Sequence, residues 1–130
     1  MPLSFRTLAT ATALLCFALA LVWGLHPQLL LDMWRIDSTD ATGLLCRRNA
    51  ALFLAIGIMF YRARQAPPSD TRRAMTLGFI TGCLVLAVLG VIEWINGNAG
   101  PGIFLAVTTE TVLGLAFIQA HRSSVTQRQA

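Results

Sequence analysis

Long apolar stretches with almost no charge most constrain the fold of this 130-residue chain. Residues 7–25, 74–95 and 102–120 are three apolar runs of 19 to 22 residues, and a helix of about 20 residues crosses the hydrocarbon core of a bilayer. A fourth run is shorter, because only 13 uncharged residues lie between Arg48 and Arg62. A spanning helix there has to begin near Ala41, so we predict it over residues 41–61. The pattern predicts an all-α, antiparallel four-helix transmembrane bundle.

Composition supports the same class. The chain is 55% hydrophobic and 12% charged, about half the charge of a typical soluble domain. An ordinary soluble enzyme and a disordered chain are excluded on these grounds, and three widely spaced cysteines exclude a disulfide scaffold. We predict one membrane domain over residues 1–120 and a disordered polar tail over residues 121–130. Two connecting segments are expected to break the helices, one containing Pro67 and Pro68 and one from Asn96 to Pro101.

The segment that follows the first run is less regular. Residues 29–36 are too few to span a bilayer, but they are apolar enough to lie as one or two helical turns in the interface.

The first apolar run could alternatively be a signal peptide, since residues 18–20 read Ala-Leu-Ala. We prefer a retained helix because the run continues to Trp23.

All ten basic residues are arginines, and the net charge is +4. They flank the apolar runs instead of forming a stripe, so we expect a lipid bilayer and no nucleic acid as partner. With the N-terminus inside, seven arginines are cytoplasmic and three are not, as the positive-inside rule requires. The same arrangement places all three tryptophans at the outer boundary. We therefore expect both termini in the cytoplasm.

Charged side chains inside a span are costly and are functional candidates. We predict a buried polar cluster of Arg47, Glu93 and Glu110, in which Arg47 pairs with one or both acids. The residues expected to support it are Arg48, Thr108, Thr109 and Thr111. Three interpretations remain open: an ion pair that fixes helix register, a site for a ligand, ion or proton, or an interface with a partner subunit. If Glu110 lacks a cation beside it, desolvation favours its protonated form.

Glycines mark the expected helix contacts, because small residues let helices approach closely in lipid. Gly78 and Gly82 form a small-xxx-small motif that shares a stripe with Gly90 and Glu93. Gly57 lies on the same stripe as Arg47, and Gly114 on that of Glu110. No catalytic set, metal-ligand spacing or cofactor motif is present, so we predict no catalytic residue, no metal and no cofactor.

The chain resembles the small four-helix bacterial inner-membrane proteins grouped near the DoxX-like and related families of unknown function. The matching pieces are Pro27, residues 47–57, residues 72–78 and the turn at residues 96–98, and the resemblance covers about residues 8–118. It implies the four-helix architecture and a location in the inner membrane of a bacterium. DoxX itself is described as a subunit of a quinone-linked oxidoreductase, but no residue of this chain matches a quinone or redox motif.

Three functional classes follow. The first is a non-enzymatic accessory or assembly subunit that binds a partner membrane subunit. The second is a homo-oligomeric small transporter or lipid/ligand-binding protein that uses the Arg/Glu cluster. The third is a quinone-linked redox subunit. Small size and the glycine-rich helix faces favour the first class.

Overall fold

The computed structural model describes residues 4–129, with side chains through residue 122. This part of the chain is all-helical, which confirms the predicted fold class. Its elements are α1 (Phe5–Leu25), α2 (Gln28–Trp34), α3 (Asp40–Ala63), α4 (Asp70–Ile95) and α5 (Ile103–Gln129). All except α2 are long and apolar enough to cross a membrane.

Side-chain caps explain why three helices begin where they do. Ser4 accepts a hydrogen bond from the Thr7 amide at the start of α1, and Ser69 accepts one from Arg72 at the start of α4. Thr39 and Thr42 cap each other at the start of α3. Each cap satisfies an amide that has no partner within the helix. Because Ser69 follows directly after Pro68, α4 begins four residues earlier than the sequence predicts.

The last helix is longer than predicted. It was expected to end at Ala120 and to be followed by a disordered tail, but α5 continues to Gln129. Residues 121–129 contain neither proline nor glycine, so nothing in this stretch breaks the helix. Ala130 lies outside the described residues.

The helices pack as two pairs, α1 against α3 and α4 against α5. At one end the pairs meet in an aromatic cluster that we call the Phe cluster, made of Phe5, Phe60, Phe79 and Phe117, one from each long helix. Phe60 lies 4.7 Å from Phe79 and 5.4 Å from Phe117 between ring centroids. Because Phe60 and Phe117 are fully buried, this end of the bundle is closely packed.

At the opposite end, α2 covers the bundle. Trp34 of α2 packs edge-on against Trp23 of α1, with 5.3 Å between ring centroids. The Trp34 carbonyl accepts a hydrogen bond from the Gly100 amide in the α4–α5 turn. The short apolar segment of the sequence is therefore the element that joins the two helix pairs at this end.

Candidate functional site

Glu110 lies in the middle of α5 and is half-buried. It is on the same face as the buried residues Gly114 and Phe117, which follow it by four and seven residues. Among the side chains described, from Ser4 to Arg122, none forms an ion pair or hydrogen bond with its carboxyl group. An acid that faces protein inside an apolar span without a counter-charge is a functional candidate.

Thr12 of α1 carries the second unusual polar group. Its side chain is completely buried, and its hydroxyl has no hydrogen-bond partner within the described chain. Threonines in helices commonly bond to the carbonyl four residues earlier, as Thr10, Thr76 and Thr81 do here. A buried hydroxyl without any partner costs about 1–3 kcal/mol of stability. The Thr12 hydroxyl is therefore an unfavourable group in the interior of the bundle.

Helix packing places Thr12 at the level of the Phe cluster and not at that of Glu110. Ala9 and Ala13, which flank Thr12, belong to the same buried cluster as Phe60 and Phe117. Glu110 precedes Phe117 by seven residues, which is nearly two helical turns or about 10 Å along the axis. Thr12 and Glu110 are therefore separate buried polar groups.

Two of the buried free cysteines lie on the spans that contact α5. Cys16 is one turn beyond Thr12 on α1, and Cys83 lies on α4. Cys83 is close enough to interact electrostatically with both Glu110 and Cys16, and a Cβ at Gly114 would lie 3.6 Å from its Cβ. We call Cys16, Cys83 and Glu110 the mid-bundle cluster. It draws side chains from three of the four spans.

Arg47 does not belong to this cluster, contrary to the sequence prediction. It is exposed, and its guanidinium lies back along α3 near Gly43 at the edge of a polar groove lined by Gln28, Thr39 and Asp40. The buried face of α3 carries Cys46, Ala50, Gly57 and Phe60, which turns Arg47 outward. Arg48 is also exposed.

Glu93 is likewise separate from Glu110. It is half-buried near the end of α4 and accepts a hydrogen bond of 2.7 Å from the Asn98 side-chain amide in the following turn. Its role in the structure is to hold that turn. The three predicted residues Arg47, Glu93 and Glu110 are therefore not brought together in the described structure.

The predicted supporting threonines also point elsewhere. Thr109 and Thr111 each donate to the backbone carbonyl four residues earlier, those of Leu105 and Val107. Thr108 is exposed. The hydroxyls of Thr109 and Thr111 are therefore engaged with their own helix and not with Glu110.

The glycines divide into two groups. Gly57, Gly90 and Gly114 lie at helix contacts: an added Cβ would come within 2.7 Å of Phe17, 2.6 Å of Val107 and 3.6 Å of Cys83, respectively. Gly78 and Gly82 are exposed, and nothing lies within 4 Å of a Cβ built on either. The small-xxx-small motif of α4 therefore faces away from the bundle, contrary to the expectation that it packs within it.

Sequence reasoning did not single out Cys16 or Cys83 of the mid-bundle cluster, nor the buried Thr12. A signal was available for α1, where Phe5, Thr12 and Cys16 share one helical face. No group of three or more His, Cys, Asp or Glu side chains in the described chain is arranged to hold a metal ion.

Comparisons of the chain with protein families, with characterised proteins and with solved structures found no match.

Proposed function

We propose that this chain is a multi-pass inner-membrane protein that acts as a non-enzymatic accessory or assembly subunit, and that it binds a helix of a partner membrane protein through α4. The partner-binding face is the outward stripe that contains Gly78 and Gly82. The observation that supports this proposal is the open space in front of both glycines.

Glycine in a helix costs about 1 kcal/mol relative to alanine. At Gly57 and Gly90 that cost is offset by close contact with a neighbouring helix, because a larger residue would collide there. At Gly78 and Gly82 this chain supplies no such contact. Small residues four apart are the usual means by which one membrane helix approaches another, so a helix from outside the chain would explain both glycines.

The amount of free surface is compatible with this role. Between 17% and 33% of the most apolar stretch of each span is buried within the chain. The remainder can contact lipid or protein. An accessory subunit needs helices that pack stably together and a helix face that is free to bind a partner. One face of α4 packs within the bundle, and the face that carries Gly78 and Gly82 is exposed.

The proposed orientation has both termini in the cytoplasm. It places the Phe cluster at the cytoplasmic end, together with Arg6, Arg62, Arg64, Arg72, Arg73, Arg122 and Arg128. Arg35, Arg47 and Arg48 are then on the opposite side, with α2. Labelling of single cysteines introduced at Ser69 and at Asn98, in a background without native cysteines, tests the orientation: only Asn98→Cys should react from the outside of intact cells.

Purification in mild detergent followed by mass spectrometry tests the partner. We expect a stoichiometric membrane protein to accompany the wild type and to be lost from Gly82→Leu. Ala51→Leu is the matched control, because Ala51 is an exposed small residue of α3, and it should retain the partner. Recovery of the chain alone, or only of several copies of the chain, would contradict the accessory role. Loss of the partner from both variants would contradict the assignment of the interface to α4.

A further inference from the structure

A cavity of about 70 Å³ lies beside the Phe cluster, between the beginning of α4 and the last turns of α5 that have described side chains. Its lining includes the rings of Phe5 and Phe117 together with the exposed residues Ser69, Asp70 and Arg73. Because Phe117 is fully buried, the cavity leads from the surface at the start of α4 to an apolar interior. A single water needs only about 10–15 Å³, so the cavity admits a larger group.

Arg72 lines the same cavity and is held in place by two contacts. Its guanidinium carbon lies 3.8 Å from the centroid of the Phe5 ring, and its Nη1 donates a hydrogen bond of 3.1 Å to the Ala66 carbonyl. A guanidinium has five N–H donors, and among the described side chains no carboxylate forms an ion pair with this one. Arg72 therefore presents a fixed positive charge with N–H donors to spare.

The electrostatic character of the cavity is positive. Arg73 adds a second guanidinium, and Asp70 is the one acid among the described residues that line the cavity. The first turn of α4 contributes further positive potential, since the N-terminus of a helix carries a partial positive charge. These groups together favour an anion over a cation.

The chemistry of the lining indicates which anion. The planar fork of a guanidinium matches a phosphate group, which it binds through paired, charge-assisted hydrogen bonds. The apolar rings beside the arginines match a ligand whose phosphate is attached to an apolar body. Arginines at the end of a span lie at the level of the lipid headgroups, where phospholipids supply both parts.

We propose that Arg72 and Arg73 bind the phosphate group of an anionic phospholipid at this cavity. Arg72, which Phe5 and Ala66 hold in place, provides the fixed part of the site, and the exposed Arg73 provides the adjustable part. The proposal does not depend on the accessory role. It also does not depend on which end of the bundle faces the cytoplasm, because both leaflets of a bilayer contain phospholipids.

Native mass spectrometry of the full chain in mild detergent, titrated with phosphatidylglycerol, tests the site. We expect one lipid to bind the wild type more tightly than any further copies. Arg72→Gln and Arg73→Gln should each weaken this first binding step by roughly tenfold, because each removes charge-assisted hydrogen bonds. Arg73→Gln leaves the contact between Arg72 and Phe5 intact, so it tests the site even if Arg72→Gln does not fold.

Arg62→Gln is the matched control. Arg62 is an exposed arginine in the last turn of α3, near the same end of the bundle, and it does not line the cavity. Its substitution removes the same charge, and it should leave the affinity for phosphatidylglycerol unchanged. Size-exclusion chromatography shows which variants are folded.

A competition with inorganic phosphate distinguishes a lipid from the free ion. An excess of inorganic phosphate should not displace phosphatidylglycerol, because the free ion lacks the apolar part. Displacement would overturn the assignment to a lipid and would identify free phosphate as the ligand. Equal affinity for phosphatidylcholine would contradict recognition of an anionic lipid. Equal weakening by Arg62→Gln, or unchanged affinity in folded Arg73→Gln, would overturn the assignment to this cavity.

Discussion

The backbone amide of Gly100 donates a hydrogen bond of 2.6 Å to the carbonyl oxygen of Trp34. This bond joins α2 to the α4–α5 turn and thereby joins the two helix pairs at the end opposite the Phe cluster. The backbones approach so closely because both glycines beside the contact lack a side chain. A Cβ at Gly102 would collide with the Met33 carbonyl, and one at Gly100 would lie 2.8 Å from Cγ of Arg35.

We predict that Gly102→Ala weakens this junction strongly and that Gly100→Ala weakens it less. The obstacle at Gly102 is the Met33 backbone, which cannot move without displacing α2, whereas the obstacle at Gly100 is the flexible Arg35 side chain. Overpacking of this kind costs about 1–3 kcal/mol. Tryptophan fluorescence during SDS titration in micelles measures the free energy of unfolding and includes the signal of Trp34 together with those of Trp23 and Trp94.

The control for this pair is Gly78→Ala. A Cβ at Gly78 meets nothing within 4 Å, so this substitution should be neutral or slightly stabilising, because alanine is the better helix former. Equal destabilisation by Gly78→Ala and Gly102→Ala would contradict the close approach of α2 to the turn.

Phe117→Ala should be among the most destabilising substitutions in the chain. The Phe117 ring is fully buried and contacts Phe5, Phe60 and Phe79 from the three other long helices. Loss of a buried phenylalanine costs about 3–5 kcal/mol. Leu115→Ala, two residues away and 54% exposed, should cost far less in the same SDS titration. Similar losses in both variants would show that α5 is rotated relative to the structure described.

The spans could be predicted from the sequence because their signal is length and apolarity. The inward face of each span was harder to predict, since the sides of such a helix are similarly apolar. On α4, the glycines at 78 and 82 suggested one face, but the buried face carries Thr76, Ile80, Cys83 and Ala87. Small residues occur on both faces, and only the actual packing distinguishes them.

Because the faces of an apolar helix are alike, only part of the candidate site could be predicted from the sequence. Glu110 could be found from its position in an apolar run, since an acid within a span is unusual whichever way the helix is rotated. The sequence pattern places Arg47 on the same face of α3 as Gly57 and so predicts that it points inward. The packed face is centred on Cys46, Ala50 and Phe60, and Arg47 comes one residue after Cys46. On a helix, one residue is a rotation of 100°. Thr12 is noticeable only from the packing, because its hydroxyl is buried without a partner in the described chain.

Glu93 and Asn98 should be energetically coupled, independently of Glu110. Their hydrogen bond of 2.7 Å closes the end of α4 onto the following turn. At an exposed site such a bond contributes roughly 0.5–1 kcal/mol, so Glu93→Ala and Asn98→Ala should each cost about this amount, and the double variant no more than either one. Additive losses in the free energy of unfolding would contradict the bond.

Arg47 and Glu110 should show no coupling. An Arg47–Glu110 ion pair within the membrane would make Arg47→Ala strongly destabilising and would let Glu110→Gln rescue it, because removal of one charge strands the other. In the structure Arg47 is exposed, and no ion pair joins it to Glu110. We therefore expect Arg47→Ala to change the free energy of unfolding by less than about 0.5 kcal/mol. The effects of Arg47→Ala and Glu110→Gln should add within roughly 0.5 kcal/mol in a double-mutant cycle. A coupling energy well above this limit would place the two side chains in contact and would contradict the exposed position of Arg47.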